Sequence, residues 1–260
     1  TGIEHDLRKW EKKKRINWKP KYGLGIFKLK SSIAEDKYKL GYLKRKCLKF
    51  FDSFYFKKIF LIEKKNKNKR TVYSDKYLFQ KYSETIYPEG YFESESYFKD
   101  YRSDLLDEFS FKLSPNLENN IFKKMIDNSN VVSIAFRSDR FSEFVIDNKN
   151  EQKLQKTADF ENQMIKYIYR GVEYFKSKIK DPKFLIWSNN FENLDQHFNP
   201  NTFTFVKNDI ENKIFLDFYL MRQCKYFIVG PTSFHWWAAW LCNNEKKIAV
   251  CPKDLELNTS

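Results

Sequence analysis

The C-terminal half of the chain alternates short apolar runs with longer segments in which apolar residues recur every three or four positions. Short runs rich in aromatic and β-branched residues are typical of buried strands, and the longer spacing is typical of helices. The pattern predicts strands at 131–136, 183–187, 203–206, 226–229 and 248–251, and helices at 160–180, at 215–223 and from 232–233 onward. Because helices separate the strands, we predict an α/β fold with a doubly wound parallel sheet, which is Rossmann-like.

The N-terminal half has a different pattern, with helical spacing and turn signals. We predict helices and turns in the following order: a turn at Gly23-Leu24-Gly25, a helical region at 31–62, turns at Pro88 and Gly90, and an amphipathic helix at 96–109. The composition shifts near residue 115. We therefore predict an incomplete, mostly helical N-terminal domain at 1–115 and the doubly wound domain at 116–260.

Polar turns follow three of the predicted strands, at the positions where the strands end. The carboxyl ends of parallel strands lie at one edge of a sheet, so the side chains of these turns are expected to lie close together. A helix N-terminus attracts phosphate through its free N–H groups and its dipole, and a guanidinium offers phosphate paired donors. We therefore predict a nucleotide diphosphate site built from the side chains of the three turns, namely Arg137 and Asp139, Ser188 and Asn190, and Thr232 and Ser233.

The charge of the chain points to an anionic partner. Its 260 residues include 48 lysines and arginines against 34 aspartates and glutamates, which gives a net charge of +14. Such an excess favours a nucleic acid, an acidic membrane face or a phosphate-bearing substrate. A basic nucleic-acid-binding protein is the least favoured of these, because the basic residues are not interleaved with aromatic ones. Aromatic residues make up 18% of the chain, enough for a core, which argues against global disorder.

The cysteines and the one long uncharged segment narrow the cellular setting. The cysteines at 47, 224, 242 and 251 lack the spacing of a zinc site, and we expect neither a structural metal nor a disulfide framework. A reducing cytoplasm fits this pattern best. Residues 226–244 carry no formal charge, but the Gly-Pro-Thr-Ser turn at 230–233 leaves apolar runs too short to cross ~30 Å of hydrocarbon. We predict no membrane span, and peripheral contact with the acidic inner face of the membrane.

Four segments resemble glycosyltransferase family 11, the α-1,2-fucosyltransferases, in its bacterial form. They occur in the family's order: EGYFESESYF at 89–98, VSIAFR at 132–137, FLIWSNN at 184–190, and DFYLMRQCK at 217–225 running into SFHWWAAW at 233–240. The last is the most specific, because two adjacent tryptophans with a third after two small residues rarely recur by chance. The resemblance covers most of residues 85–255.

The chain also departs from the family's pattern. In the family's HxRRxD motif only Arg137 matches cleanly, since Ala135 holds the histidine position and Ser138 holds the second arginine. Asn189 stands where an aspartate is usual, and His235 replaces a serine. The family's opening glycine-rich stretch is absent. The departures describe a divergent or truncated member.

The resemblance implies a two-domain GT-B transferase with an N-terminal acceptor-side domain and a C-terminal domain that binds a nucleotide sugar. Its members transfer fucose from GDP-fucose to a galactose-containing surface glycan such as lipopolysaccharide, in α-1,2 linkage, with inversion and without a metal or other cofactor. Carried onto this chain, the resemblance gives Arg137 and Asp139 as catalytic residues. It gives the donor contacts as Arg137, Ser188, Asn190, Thr232, Ser233, Phe234 and His235.

Two points stay open at this level. The general base that activates the acceptor hydroxyl is Asp139, Glu93 or Glu95. The eroded arginine motif also leaves a second interpretation, in which the same fold uses another nucleotide sugar or is catalytically inactive. The expected partners are therefore a nucleotide-sugar donor and a free or lipid-linked glycan acceptor, and not a nucleic acid.

Overall fold

The computed structural model describes residues 23–52, 54, 57–64, 73–92, 94–113, 115–138, 151–208 and 213–252. The contacts divide the chain into two compact units between Lys112 and Leu113. The acceptor and donor roles assigned above to the two parts of the chain stay predictions.

The first unit combines short helices with a small parallel sheet. Its helices are α1 (Tyr42–Asp52), α2 (Lys76–Phe79) and α3 (Arg102–Glu108), and its strands are β1 (Lys58–Ile62) and β2 (Tyr82–Glu89). Single 3-10 turns lie at Gly23–Ile26, Asp36–Tyr38, Glu95–Tyr97 and Lys99–Tyr101. The two strands run parallel, with Phe60 opposite Tyr87 and Ile62 opposite Glu89.

Two buried carboxylates fix the ends of this small sheet. Asp52, the last residue of α1, accepts the N–H of Ile59 at 2.6 Å and so ties the helix to the start of β1. Glu63, directly after β1, accepts the N–H groups of Tyr91 and Phe92 at 2.7 and 2.8 Å and so holds the turn after β2. Gly90 lies so close that a Cβ there would be 2.3 Å from the Cβ of Glu63, and a larger residue would displace this carboxylate.

The structure corrects two predictions for this unit. The region 31–62, predicted as helical, contains helix α1 and then strand β1. The turn predicted at Pro88 lies inside strand β2, which pairs only with β1 among the described strands. Proline is tolerated at the edge of a sheet because its missing N–H is not needed there.

The second unit is built on a five-stranded parallel sheet. Its strands are β3 (Asn130–Phe136), β4 (Pro182–Ser188), β5 (Phe203–Phe205), β6 (Tyr226–Ile228) and β7 (Ile248–Val250). Its helices are α4 (Ile121–Asn128), α5 (Glu151–Lys178), α6 (Leu194–His197), α7 (Lys213–Gln223) and α8 (Ser233–Trp240). The strand order is β5-β4-β3-β6-β7, and every pairing is parallel.

This strand order makes β3 the centre of the sheet. The chain moves outward from β3 through β4 to β5, then returns to the other side of β3 for β6 and β7. The direction of winding therefore reverses between β3 and β6. In open α/β sheets, ligands bind outside the carboxyl ends of the strands at such a reversal. The doubly wound sheet predicted from the sequence is confirmed, and its reversal point falls beside Arg137.

Helix α5 covers one face of the sheet. The strand residues Val132, Ile134, Phe136, Phe184, Ile186 and Ile228 form one buried cluster with Phe160, Met164, Ile168, Val172 and Phe175 of α5. Gly171 brings α5 close to β6, because a Cβ there would be 2.8 Å from the Cδ1 of Ile228. The alternate strand residues Ser133 and Leu185 are also fully buried, on the opposite face.

The predicted elements of this unit lie within a few residues of the observed ones, except that α5 begins at Glu151 and not at 160. Two helices were not predicted. Helix α4 follows Asn120, whose side chain accepts the N–H of Lys123 at 2.9 Å and caps the helix. Helix α6 has only four residues, too few to show a period. None of the helices in the described part of the chain is long and apolar enough to cross a membrane.

Truncation of a buried residue of α5 should destabilise the second unit strongly. Ile168 is fully buried, so Ile168→Ala is expected to lower the free energy of unfolding by about 2–5 kcal/mol through lost burial and a residual cavity. Lys166→Ala on the exposed side of the same helix is the control and should change it by less than about 0.5 kcal/mol. Urea denaturation followed by tryptophan fluorescence measures both, and equal effects would contradict the assigned packing of α5.

Candidate functional site

The sheet brings the three predicted polar turns to its carboxyl edge. Strand β3 lies between β4 and β6, with Phe136 opposite Ser188 and Ile134 opposite Ile228. Arg137 directly follows β3, and the turn at 230–233 follows β6. Because neighbouring strands lie about 4.8 Å apart, the groups that follow them start from adjacent positions on one edge. The predicted placement of these turns at one edge of the sheet is therefore present in the structure.

The turn after β6 ends in a capped helix start. Thr232 has an extended backbone, and its hydroxyl accepts the N–H of His235 at 3.4 Å, so Thr232 is the N-cap of α8. Ser233 is exposed, and Phe234 packs its ring against Phe218 with centroids 5.0 Å apart. The first N–H groups of a helix have no partner within the helix. The cap thus satisfies one donor and leaves the N–H groups of Ser233 and Phe234 as possible donors for an anion.

Gly230 is needed for this turn to approach β3. A Cβ at this position would lie 2.6 Å from the carbonyl oxygen of Ala135 and 3.3 Å from the Cβ of Ala135. The contact is with backbone, which cannot swing aside as the end of a side chain can. Gly230 therefore lets the turn lie directly against the end of the central strand.

His235 connects the same turn to the central strand through two hydrogen bonds. Its Nδ1 accepts the N–H of Gly230 at 3.1 Å, and its Nε2 lies 2.8 Å from the Oγ of Ser133 on β3. Since Nδ1 accepts, the neutral ring carries its proton on Nε2, and this N–H donates a hydrogen bond to the Oγ of Ser133. The ring thus connects the backbone of the turn to the central strand. Ser133 also lies beside the buried thiol of Cys224, whose pKa is raised by burial.

The position of His235 corrects the prediction that this residue contacts the donor. The side chain is fully buried, and both ring nitrogens are bonded to the protein. Burial lowers the pKa of the imidazole from about 6.5 to about 3, so the ring is neutral at physiological pH. The sequence signal for a helix N-terminus was correct, but the third residue of a helix can turn inward, and here it does.

Ser188 and Asn190 shape the loop after β4. The hydroxyl of Ser188 donates to the carbonyl oxygen of Asn190 and accepts its N–H at 3.3 Å. The Oδ1 of Asn190 accepts the N–H of Glu192 at 2.9 Å. Both side chains therefore build local turns of the kind that serine and asparagine favour. They lie at the predicted edge, with part of their hydrogen-bonding capacity used by the loop.

An open cleft of about 400 Å³ lies beside this loop. It is lined by the end of β3, the residues after β3 and β4, and residues of α5 and α6, namely Phe136, Ser138, Glu161, Asn190, Glu192, Asn193, Leu194, Gln196 and His197. Of the predicted site residues that the structure describes, Asn190 alone is among them. The cleft is thus on the β4 side of Arg137, whereas the capped helix start is on the β6 side.

The remaining predicted residues divide into two groups. Arg137 is half-buried at the end of β3 and takes part in interactions within the protein. Glu95 begins a 3-10 turn of the first unit, where Ser94 accepts the N–H of Ser96. Asp139 and Glu93 lie outside the described residues, so their assignment as bases stays a prediction.

Two features of this edge were not predicted from the sequence. One is the contact of His235 with Ser133, which pairs residues about a hundred positions apart and has no local signal. The other is the wall of the cleft formed by α6. The start of α6 did have a sequence signal, because Asn193 follows an asparagine-rich turn. Asn193 adopts a left-handed backbone with φ of 56°, which asparagine tolerates better than most residues.

Most of the chain also matches a protein-family model. Residues 37–258 match the model of glycosyl transferase family 11. The chain belongs to glycosyltransferase family 11. The resemblance drawn from the four sequence segments is thereby confirmed, and the parallel α/β sheet of the second unit agrees with the Rossmann-type sheet expected of such a transferase.

Two curated proteins of Escherichia coli are similar to this glycosyltransferase. One is named alpha-1,2-colitosyltransferase and is 23% identical over 168 residues, which cover 63% of this chain and 53% of that protein. The other is named O-antigen biosynthesis glycosyltransferase WbnK and is 25% identical over 136 residues, which cover 51% of this chain and 42% of that protein. The chain thus matches about half the length of these relatives. No solved structure matches it significantly.

Burial of His235 should make the free energy of unfolding of the glycosyltransferase depend on pH. The unfolded chain binds a proton at this histidine below a pH of about 6.5, whereas the folded chain does not until about 3. Stability contributed by neutral His235 is therefore present above pH ~6.5 and is lost as the pH falls, by about 1.4 kcal/mol per unit. His235→Asn removes this titration. Its destabilisation relative to wild type should be about 1–3 kcal/mol at neutral pH and should shrink on acidification.

Urea denaturation at several pH values measures the difference between wild type and His235→Asn. His197→Asn is the matched control, because His197 is exposed at the end of α6. A His235→Asn difference that does not vary with pH would show that the imidazole is not held neutral in the folded state.

Proposed function

We propose that this glycosyltransferase binds a nucleotide diphosphate sugar at the carboxyl edge of the second unit, between the end of β3 and the start of α8. The donor is GDP-fucose, and fucose passes to a galactose-containing surface glycan in α-1,2 linkage, with inversion and without a metal. Family membership supports sugar transfer, and the names of the two relatives support an α-1,2 linkage and an O-antigen-type acceptor.

One observation carries the proposal more than any other. The chain places an arginine directly after the central strand and a threonine-capped helix start after the neighbouring strand, at the point where the sheet reverses its winding. Both groups favour negative charge, one as a guanidinium and the other through backbone N–H groups and the helix dipole. A pyrophosphate is the ligand that suits a pair of this kind.

The same groups would act in the reaction. When the bond between the sugar and the diphosphate breaks, negative charge grows on the leaving phosphate oxygens. Arg137 and the N–H groups of Ser233 and Phe234 would stabilise that charge without reorganising, because β3 and α8 hold them in place. Buried His235 positions the turn that carries these N–H groups and keeps its own charge out of the site. Asp139, two residues after Arg137, is the proposed base for the acceptor hydroxyl.

A second donor is favoured by a specific finding. One relative is named for colitosyl transfer, so a donor that carries colitose in place of fucose is the main alternative. The loss of the second arginine of the family motif, at Ser138, keeps a catalytically inactive form of the site as the other alternative. Assays of donor hydrolysis distinguish an active transferase from an inactive one, because an inactive protein would hydrolyse neither GDP-fucose nor the colitose donor.

Binding of the nucleotide is the first test. Thermal unfolding of the full chain is followed with GDP, GDP-fucose or UDP present in excess. A ligand that binds only the folded state stabilises it by about 2.7 kcal/mol at a hundred times its Kd. We expect GDP and GDP-fucose to raise Tm and UDP to have little effect. An unchanged Tm with every nucleotide would contradict the proposed site.

Replacement of Arg137 tests its proposed role in stabilising the leaving diphosphate. Arg137→Ala should lower kcat/KM for sugar transfer by about 10²–10³, the usual cost of losing one donor to a developing anion. Arg137→Lys should recover part of it, since an ammonium keeps the charge but not the paired donors. Arg170→Ala, on the exposed side of α5, is the matched control and should leave kcat/KM unchanged. Equal activity of all three variants would exclude Arg137 from the site.

A further inference from the structure

Helix α1 of the first unit directs its apolar side outward. Leu43, Cys47 and Phe50 are spaced four and three residues apart and so lie on one face of the helix, with Phe51 beside them. We call these four residues the apolar stripe. Leu43 is 75% exposed and Phe50 66%, and Phe54, just past the end of the helix, is 76% exposed. A group of large apolar side chains this exposed is unusual on a water-soluble surface and marks an interaction site.

The polar side of α1 faces its own unit. The guanidinium of Arg45 donates to Glu89 at 2.7 Å, and the ammonium of Lys49 bonds the other oxygen of the same carboxylate. These bonds hold the pKa of Glu89 below its usual value, although burial acts in the opposite direction. Asp52 accepts the N–H of Ile59. A rotation that buried the apolar stripe would break all of these bonds, so the outward orientation is held by charge.

Lysines flank the stripe. At about 100° per residue, Lys44 and Lys46 lie on either side of the line through Leu43, Cys47 and Phe50. Both lysines are exposed. The helix carries four basic residues and a single acidic one, which is buried. The surface thus presents an apolar centre with a positively charged border.

We propose that this face of α1 lies on the surface of a bilayer that contains anionic phospholipid, with the apolar stripe among the acyl chains and Lys44 and Lys46 at the headgroups. Helices with an apolar face and a lysine-rich border bind the membrane interface in this way, and anionic lipid strengthens the binding. The charge of the border selects an anionic surface over a neutral one. This inference does not depend on the identity of the sugar donor.

Vesicle sedimentation with the full chain tests the surface. The protein should sediment with vesicles of phosphatidylcholine and phosphatidylglycerol but weakly with phosphatidylcholine alone. Phe50→Ser combined with Phe54→Ser should lower the partition coefficient by at least about tenfold. Lys44→Glu combined with Lys46→Glu should lower it by about tenfold or more. The control combines Lys166→Glu with Lys178→Glu, which makes the same charge change on exposed positions of α5.

Cys47 supplies a second, independent readout. It is exposed in the middle of the stripe, Cys224 and Cys242 are buried, and Cys251 is exposed elsewhere. In a Cys251→Ser background, an environment-sensitive fluorophore on Cys47 should shift to the blue when anionic vesicles are added. Spin labels within the acyl chains should quench it. The phenylalanine variant, labelled in the same way, should show neither effect.

Several results would overturn the proposal. Absence of sedimentation with anionic vesicles, or an equal loss in the α5 control, would exclude α1 as the membrane surface. A Cys47 thiol that reacts only after denaturation would show that another part of the chain covers the stripe. A concentration-dependent dimer in light scattering that Phe50→Ser with Phe54→Ser abolishes would assign the stripe to a second copy. Sugar transfer to a dissolved acceptor should be unchanged in the phenylalanine variant, which separates this test from that of the transferase activity.

Discussion

The parallel pairing of β3 with β6 is the constraint on which the candidate site depends. It places the residue after the central strand beside the turn that starts α8, and Gly230 permits the close approach because a Cβ would meet the carbonyl oxygen of Ala135. His235 then joins that turn to Ser133 of the same central strand. The N–H groups of Ser233 and Phe234, which we propose as anion donors, are therefore positioned by backbone contacts and by a buried neutral ring.

The two units use charge in different ways. In the first, the carboxylates of Asp52, Glu63 and Glu89 bind backbone N–H groups or cations of the same unit and fix its turns and α1. In the second, the core that α5 covers is apolar, and the proposed site combines the Arg137 guanidinium with backbone donors at the start of α8. The net charge of +14 therefore leaves basic groups for external anions, for which a pyrophosphate and an acidic bilayer are the two proposed here.

The predictions that succeeded rest on long or repeated signals. All five strands of the parallel sheet could be predicted because each is a short run rich in apolar and β-branched residues, and their parallel direction followed from the alternation of strands with helices. Those that failed depend on distant contacts. Strand β1 was merged with the preceding helix, because its start is set by the carboxylate of Asp52. His235 was taken for a ligand contact, because its burial depends on Ser133 in a strand about a hundred residues earlier.

The most direct measurement of the central claim is a crystal structure of the full chain with GDP bound. The account predicts phosphate oxygens within hydrogen-bonding distance of the Arg137 guanidinium and of the N–H groups of Ser233 and Phe234, with the His235 ring still bonded to Gly230. GDP seated only in the cleft between the β4 loop and α6, with no contact to the start of α8, would contradict it.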